Sequence, residues 1–225
     1  MLAAGRASDG DSAVALAWLC ERYWFPLFAY ARGRGSTPAE AEDSVQAFFE
    51  KIMMGEMLGA ADAERGRFRS FLLGCFNHFL AHERRRERQL KRGGGAECIP
   101  FDHTDAEARL QRELVDGRTP ALDFDRAWAL TLLDRVLAQL REECDADGND
   151  GRFAVLQTFI QGDRGEQPLA TAANRLGLSL AAVKSIVHRL RRRFRDLVRE
   201  EVRETVANDE ALPAEMEHLF AALSR

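Results

Sequence analysis

The spacing of the apolar residues constrains the fold more than any other feature of this chain. Apolar side chains recur three and four positions apart along almost its whole length, which places them on one face of an α-helix. A half-buried strand would need strict alternation, and no alternating run rich in β-branched residues reaches strand length. The sequence therefore predicts an all-α protein.

Size and composition bound the architecture and the location. A length of 225 residues suits one large domain or two small ones. Hydrophobic residues make up 46% of the chain, which suffices for a packed core, and charged residues make up 30%, which favours a solvated surface. No apolar run approaches the roughly 18 residues that a membrane span needs, and the first residues lack the apolar segment of a signal peptide. We therefore expect a cytoplasmic protein with no membrane insertion.

Neither the cysteines nor the histidines indicate a metal site. The four cysteines are far apart, and none belongs to a C-x-x-C pair. His78 and His82 are one helical turn apart, a spacing that suits a metal, but no third ligand stands near them in the sequence. We therefore expect no metal and no cofactor.

Three helices are predicted in the first half of the chain. The first runs from about Ser12 to Arg32, and the second begins directly after Thr37. Thr37 and Glu40 fit a capping box, in which each side chain bonds the backbone of the other residue. A third, long and basic helix begins near Phe68 and ends at the glycines from Gly93 to Gly95.

The helical pattern divides the chain into two small domains and a tail. Residues 12–97 form the predicted first domain, and residues 98–124 are polar, acidic and without a sustained apolar pattern, as expected of a linker. Helical spacing resumes in residues 125–203, the predicted second domain. Residues 204–225 contain MEHLFAAL, which predicts one more amphipathic helix as a C-terminal extension.

Within the second domain, the segment LATAANRLGLSLAAVKSIVHRL has the pattern of a helix-turn-helix. Ala173 is small enough for two helices to pass closely, Gly177 suits a left-handed turn, and Ser179 can cap the second helix. With Val183 and Val187 facing inward, a polar and basic face remains outside, as on a recognition helix in the major groove. That face consists of Ala181, Lys184, Ser185, His188, Arg189 and Arg192. The alternative is a solvated cationic surface helix, which would explain the charges but not the turn pattern.

A second basic segment lies in residues 65–92, which carry nine Lys or Arg residues. Four phenylalanines are interleaved with these charges or adjoin them. Aromatic rings beside cations suit single-stranded nucleic acid, whose bases stack while its phosphates are neutralised. Two of the rings, Phe76 and Phe79, fit a hydrophobic core better, and we expect them there.

Together these segments resemble the extracytoplasmic-function (ECF) group of the sigma-70 family of bacterial RNA polymerase sigma factors. AEAEDSVQAFFEKI at residues 39–52 resembles that family's polymerase-binding helix, and GRFRSFLLGCFNHFLAHERRRER at residues 66–88 resembles its promoter-melting helix. The helix-turn-helix resembles the module that binds the upstream promoter element. The resemblance implies a region 2 helical bundle and a region 4 helix-turn-helix joined by an acidic linker, in a transcription initiation factor that is not an enzyme.

The resemblance also implies which residues make each contact. Core RNA polymerase would bind Glu42, Asp43, Gln46 and Phe49 on the second helix. The minus-10 promoter element, as duplex and as melted strand, would meet Arg67, Arg69, Asn77, His82, Arg84, Arg85 and Arg88. The minus-35 element would meet the outer face of the recognition helix. An anti-sigma factor and a regulatory kinase stay open as further partners.

This chain departs from the family's pattern at several positions. His82 stands where the family often has Asp, and Ser44 stands where a larger apolar residue is usual. Phosphorylation of Ser44 would add charge beside the polymerase-binding face, which makes this residue a candidate regulatory site. Residues 204–225 extend past the family's common end, and we consider them a candidate internal regulator that docks on one of the two domains.

Two other functions fit parts of this pattern. A stand-alone helix-turn-helix regulator would bind duplex DNA without polymerase, and residues 12–97 would then form a ligand pocket or a dimer interface. A recombinase or nuclease would need a carboxylate cluster for a metal, or a positioned nucleophile. The two tyrosines, Tyr23 and Tyr30, both lie on the apolar first helix, and acidic residues near the basic segments are few. We therefore expect no enzymatic activity.

Overall fold

The structure, a computed structural model, describes residues 9–55, 67–89, 106–113, 119–146, 150–160, 162 and 166–224. These residues form α-helices and no strand, so the predicted all-α class is confirmed for them. The helices are α1 (Asp9–Gly33), α2 (Pro38–Met53), α3 (Phe68–Gln89), α4 (Ala106–Glu113), α5 (Pro120–Ala146), α6 (Asp150–Leu156), α7 (Glu166–Leu176), α8 (Leu180–Arg203) and α9 (Leu212–Ser224). A short 3₁₀ turn, Gln157–Phe159, follows α6. None of these helices combines the length and the apolarity that crossing a membrane requires.

Packing divides the chain into two compact units. The first unit comprises the chain up to Thr131 and again from Thr205 onward, and the second comprises Leu132–Glu204. The division falls inside α5, so this helix contributes residues to both units. The domain limits predicted from the sequence, 12–97 and 125–203, stay predictions.

The first unit has an aromatic core formed by α1, α2 and α3. α2 begins at the predicted capping box, where the Thr37 hydroxyl accepts from the Glu40 backbone N–H and the Glu40 carboxylate accepts from the Thr37 backbone N–H at 2.8 Å. Further along α2, the ring centroid of Phe48 lies 5.0 Å from that of Phe76 and 5.6 Å from that of Phe79 on α3. Phe76 and Phe79 are therefore core residues, as predicted, and they fix which side of α3 faces outward.

The stretch predicted as a linker contains the helix α4. This helix buries Ala106 and Leu110. The Glu107 carboxylate of α4 accepts two hydrogen bonds of 2.8 Å from the Arg32 guanidinium of α1. These bonds lower the pKa of Glu107 below its usual value. The predicted linker is therefore helical over residues 106–113 and again over residues 120–124, which begin α5, while its residues 98–105 and 114–118 lie outside the described residues.

The amphipathic helix predicted in the tail is α9, and it belongs to the first unit. Its buried residues follow helical spacing, and they are Leu212, Glu215, Leu219 and Ala222. Near the end of α9, the Leu223 carbonyl accepts a hydrogen bond of 3.2 Å from the Arg126 guanidinium of α5. The chain that leaves the second unit thus returns to the first.

The second unit packs α6, the 3₁₀ turn, α7 and α8 around a small apolar core. The buried members of this core are Leu156, Phe159, Ala172, Ala173, Val183 and Val187. The second part of α5 is tied to α8 by an ion pair of 3.0 Å between Arg135 and Glu201. α8 therefore has one face in the core, and its other face is available for contacts outside the unit.

Candidate nucleic-acid interface

The turn between α7 and α8 has the geometry that the sequence predicts for a helix-turn-helix. Gly177 has a φ of +64°, a left-handed conformation that glycine adopts without strain. The Leu178 N–H donates to the Ala173 carbonyl at 3.0 Å and closes the end of α7. The Ser179 hydroxyl accepts from the Ala182 backbone N–H at 3.2 Å and caps α8. These contacts set the start of α8 and therefore the direction of its faces.

α8 separates its apolar and polar residues by face. Val183, Val187 and Leu197 are at most 4% exposed. The six residues predicted for the minus-35 contact are all exposed, and they are Ala181, Lys184, Ser185, His188, Arg189 and Arg192. The structure therefore brings these six residues together on one accessible surface.

Two other cations of α8 stabilise the second unit. The Arg191 guanidinium donates to the Phe159 carbonyl at 2.9 Å and to the Gly162 carbonyl at 2.6 Å. Arg193 forms two hydrogen bonds with the Glu143 carboxylate of α5, at 2.8 and 2.7 Å, in the bidentate geometry that arginine and a carboxylate favour. This contact lowers the pKa of Glu143 and raises that of Arg193. The basic run on α8 thus combines structural arginines with the exposed cations of the outer face.

Asn77 of α3 is exposed, and its carboxamide is oriented by two residues of the first unit. Its Oδ1 accepts a short hydrogen bond from Arg34, in the turn between α1 and α2, and a second of 3.3 Å from the Tyr30 hydroxyl. Arg34 also donates to that hydroxyl at 3.1 Å. Because the carboxamide oxygen accepts these bonds, the N–H groups of the exposed Asn77 are the part of its side chain that can donate to a ligand.

Three further predicted positions toward the end of α3 are also accessible. His82, Arg84 and Arg85 are exposed, whereas the side chain of Arg88 lies outside the described residues. His78 is exposed as well. Within the described part of the chain, no group of three or more His, Cys, Asp or Glu side chains is placed to hold a metal ion.

Arg69 is buried, which corrects the expectation that its side chain is accessible to DNA in the arrangement described. Its side chain is 2% exposed and pairs with Glu215 of α9 at 2.7 Å and with Asp125 of α5 at 3.5 Å. Its guanidinium also lies over the Trp128 ring, 4.4 Å from the ring centroid. Burial lowers the pKa of Arg69, while the two carboxylates oppose that shift. In this arrangement Arg69 joins α3 to α5 and α9 and is closed to nucleic acid.

Arg67, one residue before α3, is partly accessible but shares these partners. Its side chain is 40% exposed, and its Nε lies 3.1 Å from the Glu215 carboxylate. A terminal nitrogen of Arg67 lies 2.9 Å from Nδ1 of His218. Because arginine can only donate, this Nδ1 accepts, and Nε2 of His218 donates to Asp125 at 3.1 Å. α9 therefore contacts both arginines at the N-terminal end of α3.

The residues predicted to bind polymerase on α2 differ in their exposure to solvent. Asp43 is exposed, and Glu42 and Gln46 are half-buried beside it. Phe49 is 2% exposed and packs against Phe48, with 5.9 Å between the ring centroids. The prediction that Phe49 contacts polymerase is corrected by this burial. The signal was present in the sequence, because Phe49 continues the apolar stripe of α2 at helical spacing.

Three residues of these sites were not predicted from the sequence. Arg34 belongs to the stretch GRGS, which indicates only the end of a helix. Asp125 and Glu215 lie far from α3 in the sequence. Glu215 did carry a signal, because it occupies a position of the apolar stripe of the tail helix, and a carboxylate at a buried position needs a cation.

Compared with known protein families, with curated proteins and with solved structures, this chain matches none.

Proposed function

We propose that this protein is a sigma factor of the ECF type, which binds bacterial core RNA polymerase in the cytoplasm and directs it to promoters. The observation that carries the proposal is the exposed outer face of α8, on a capped helix-turn-helix whose inner face is buried. Such a face suits the major groove, where Lys and Arg meet phosphates and guanine edges while small residues allow close approach. The minus-35 element is the proposed ligand of this face.

A second nucleic-acid contact on α3 favours a sigma factor over a stand-alone regulator. Asn77, His82, Arg84 and Arg85 are exposed along this helix. Donor groups and cations on one helix suit a melted strand, whose base edges and phosphates are both accessible. A regulator that binds duplex DNA needs only the helix-turn-helix, whereas promoter opening needs both contacts.

The charge of the chain supports a requirement for polymerase. The net charge is −4, and phosphate contacts dominate nonspecific affinity for DNA. The free protein should therefore bind arbitrary DNA weakly. Once held on polymerase by the face around Asp43, the two contacts would act together, and the second would gain from a raised effective concentration. No cofactor takes part in this mechanism.

A pull-down with purified bacterial core polymerase tests the proposal. The chain is compared with a variant that carries Asp43→Ala and Gln46→Ala, which removes polar groups from the proposed face of α2. The matched control carries Glu142→Ala and Gln157→Ala, an acid and an amide that are exposed in the second unit. Promoter-dependent transcription by the reconstituted enzyme provides a second readout.

We expect the wild-type chain and the control to bind core polymerase and the α2 variant to bind it more weakly. Equal binding by all three would place the polymerase contact elsewhere. Failure of the wild-type chain to bind core polymerase from several bacteria, together with tight binding to duplex DNA alone, would replace the sigma factor with the stand-alone regulator.

A further inference from the structure

The contact between α9 and the start of α3 is a buried electrostatic interface. Glu215 is 2% exposed and pairs with both Arg67 and Arg69, at 3.1 and 2.7 Å. A carboxylate at this depth needs cationic partners, because burying an unpaired charge is strongly unfavourable. The two arginines are therefore what this face of α9 binds on α3.

These arginines begin a basic surface whose later cations are accessible. Arg84 and Arg85 are exposed further along α3, whereas Arg69 is enclosed by Glu215, Asp125 and Trp128. The oxygens of a carboxylate and of a phosphate bind guanidinium groups with the same hydrogen-bond geometry. Glu215 thus takes the position that a phosphate oxygen would take on Arg69, and it also forms an ion pair with Arg67.

We propose that α9 is an intramolecular latch that withholds Arg67 and Arg69 from DNA until it is released. Release frees both guanidinium groups from the Glu215 carboxylate, so that they can bind the phosphates of DNA. Only residues 204–211 join α8 to α9, so the released helix stays close enough along the chain to dock again. The latch depends on the proposed function only in the premise that α3 binds DNA.

Four variants of the full chain separate release of the latch from a change in charge. Glu215→Gln removes the paired charge and keeps the side-chain shape. Glu217→Gln is its matched control, because Glu217 is exposed on the same helix and the net charge changes equally. Leu219→Ala loosens α9 without changing charge, since Leu219 is fully buried. The fourth variant combines Glu215→Gln with Leu219→Ala, so that α9 is released even if neither change suffices alone.

The assay measures DNA binding without polymerase. Fluorescence anisotropy follows a labelled random-sequence single strand, and its duplex form, across a range of salt concentrations. Hydrogen exchange of the backbone amides of residues 212–224 reports how far each variant releases α9. Circular dichroism confirms that the other helices persist.

We expect Glu215→Gln and Leu219→Ala to bind the single strand more tightly than wild type, and Glu217→Gln to match wild type. Each arginine that reaches a phosphate steepens the slope of log affinity against log salt by about 0.7 for a single strand, so release of both arginines predicts about 1.4. Adding Arg69→Gln to the Glu215→Gln variant should remove about half of that change.

Three results would overturn the latch. The first is unchanged affinity and salt slope in the double variant, and the second is an equal gain in Glu217→Gln, which would come from net charge alone. The third is a gain in affinity and salt slope that Arg69→Gln leaves undiminished. Because polymerase is absent from this assay, the two proposals can fail separately. Failure to bind core polymerase together with the expected DNA-binding pattern would contradict the sigma function and support the latch. Binding to core polymerase without that pattern would support the sigma function and contradict the latch.

Discussion

Replacing Gly177 with alanine tests the turn on which the helix-turn-helix depends. Gly177 has a φ of +64°, and a Cβ at this position would meet no other atom within 4 Å. The cost is therefore conformational, and the left-handed region disfavours a residue with a Cβ by roughly 1–2 kcal/mol. Alanine recovers about 0.4–1 kcal/mol by restricting the unfolded chain. We expect the free energy of unfolding of the second unit to fall by about 1 kcal/mol.

A second glycine in the same unit provides the matched control. Gly151 lies in α6, also with open space around its Cβ, and alanine is the better residue in a helix by up to about 1 kcal/mol. Thermal unfolding followed by circular dichroism distinguishes the two changes, because 1 kcal/mol shifts the Tm of a unit of this size by about 4–8 °C. All three tryptophans lie in the first unit, so their fluorescence checks that this unit is unaffected. Equal effects of Gly177→Ala and Gly151→Ala would refute the reasoning.

Four other substitutions have defined outcomes. Arg191→Ala removes hydrogen bonds to two backbone carbonyls and should lower the unfolding free energy of the second unit by about 1 kcal/mol. Arg192→Ala, an exposed control on the same helix, should instead weaken the binding of duplex DNA and reduce the slope of log affinity against log salt by about 0.9. Contact with Arg193 lowers the pKa of Glu143. The contact therefore stabilises the fold at pH values above the unfolded pKa of about 4.3, and this stabilisation is lost as the pH falls through the folded pKa. In urea unfolding, Glu143→Gln should therefore make the free energy of unfolding depend less on pH in the acid range. The difference should be only about 0.5 kcal/mol, because both side chains are more than a third exposed. Phe48→Ala empties a position that is 0% exposed and should cost the first unit about 3–5 kcal/mol, measured by tryptophan fluorescence in urea.

Local structure could be predicted wherever one residue with a strong preference decides it. Thr37 and Ser179 cap helices through bonds to backbone groups three residues away, and Gly177 adopts the left-handed conformation that its turn uses. These predictions needed no knowledge of the rest of the fold. The inward direction of Val183 and Val187 likewise follows from helical spacing once the start of α8 is set.

Burial of charged residues depends on distant parts of the chain and could not be predicted in this way. Arg69 stands in a basic segment, which indicates a solvated or DNA-binding surface, yet its partner Glu215 is 146 positions away. The helix α4 was missed for another reason. Only Ala106 and Leu110 are buried among its 8 residues, and two buried positions are too few to establish a period.

The return of the chain to the first unit sets an order in which the protein can be completed during synthesis. The second unit has all its residues once Glu204 has left the ribosome, whereas the first unit still lacks α9. Glu215 follows Arg69 by 146 positions, which at about 5–20 residues per second takes roughly 7–30 s. Until then, Arg69 lacks its nearest carboxylate. A nascent chain that stopped before α9 would therefore leave the first unit with an undercompensated charge, exposed to proteases and chaperones that detect incomplete folding.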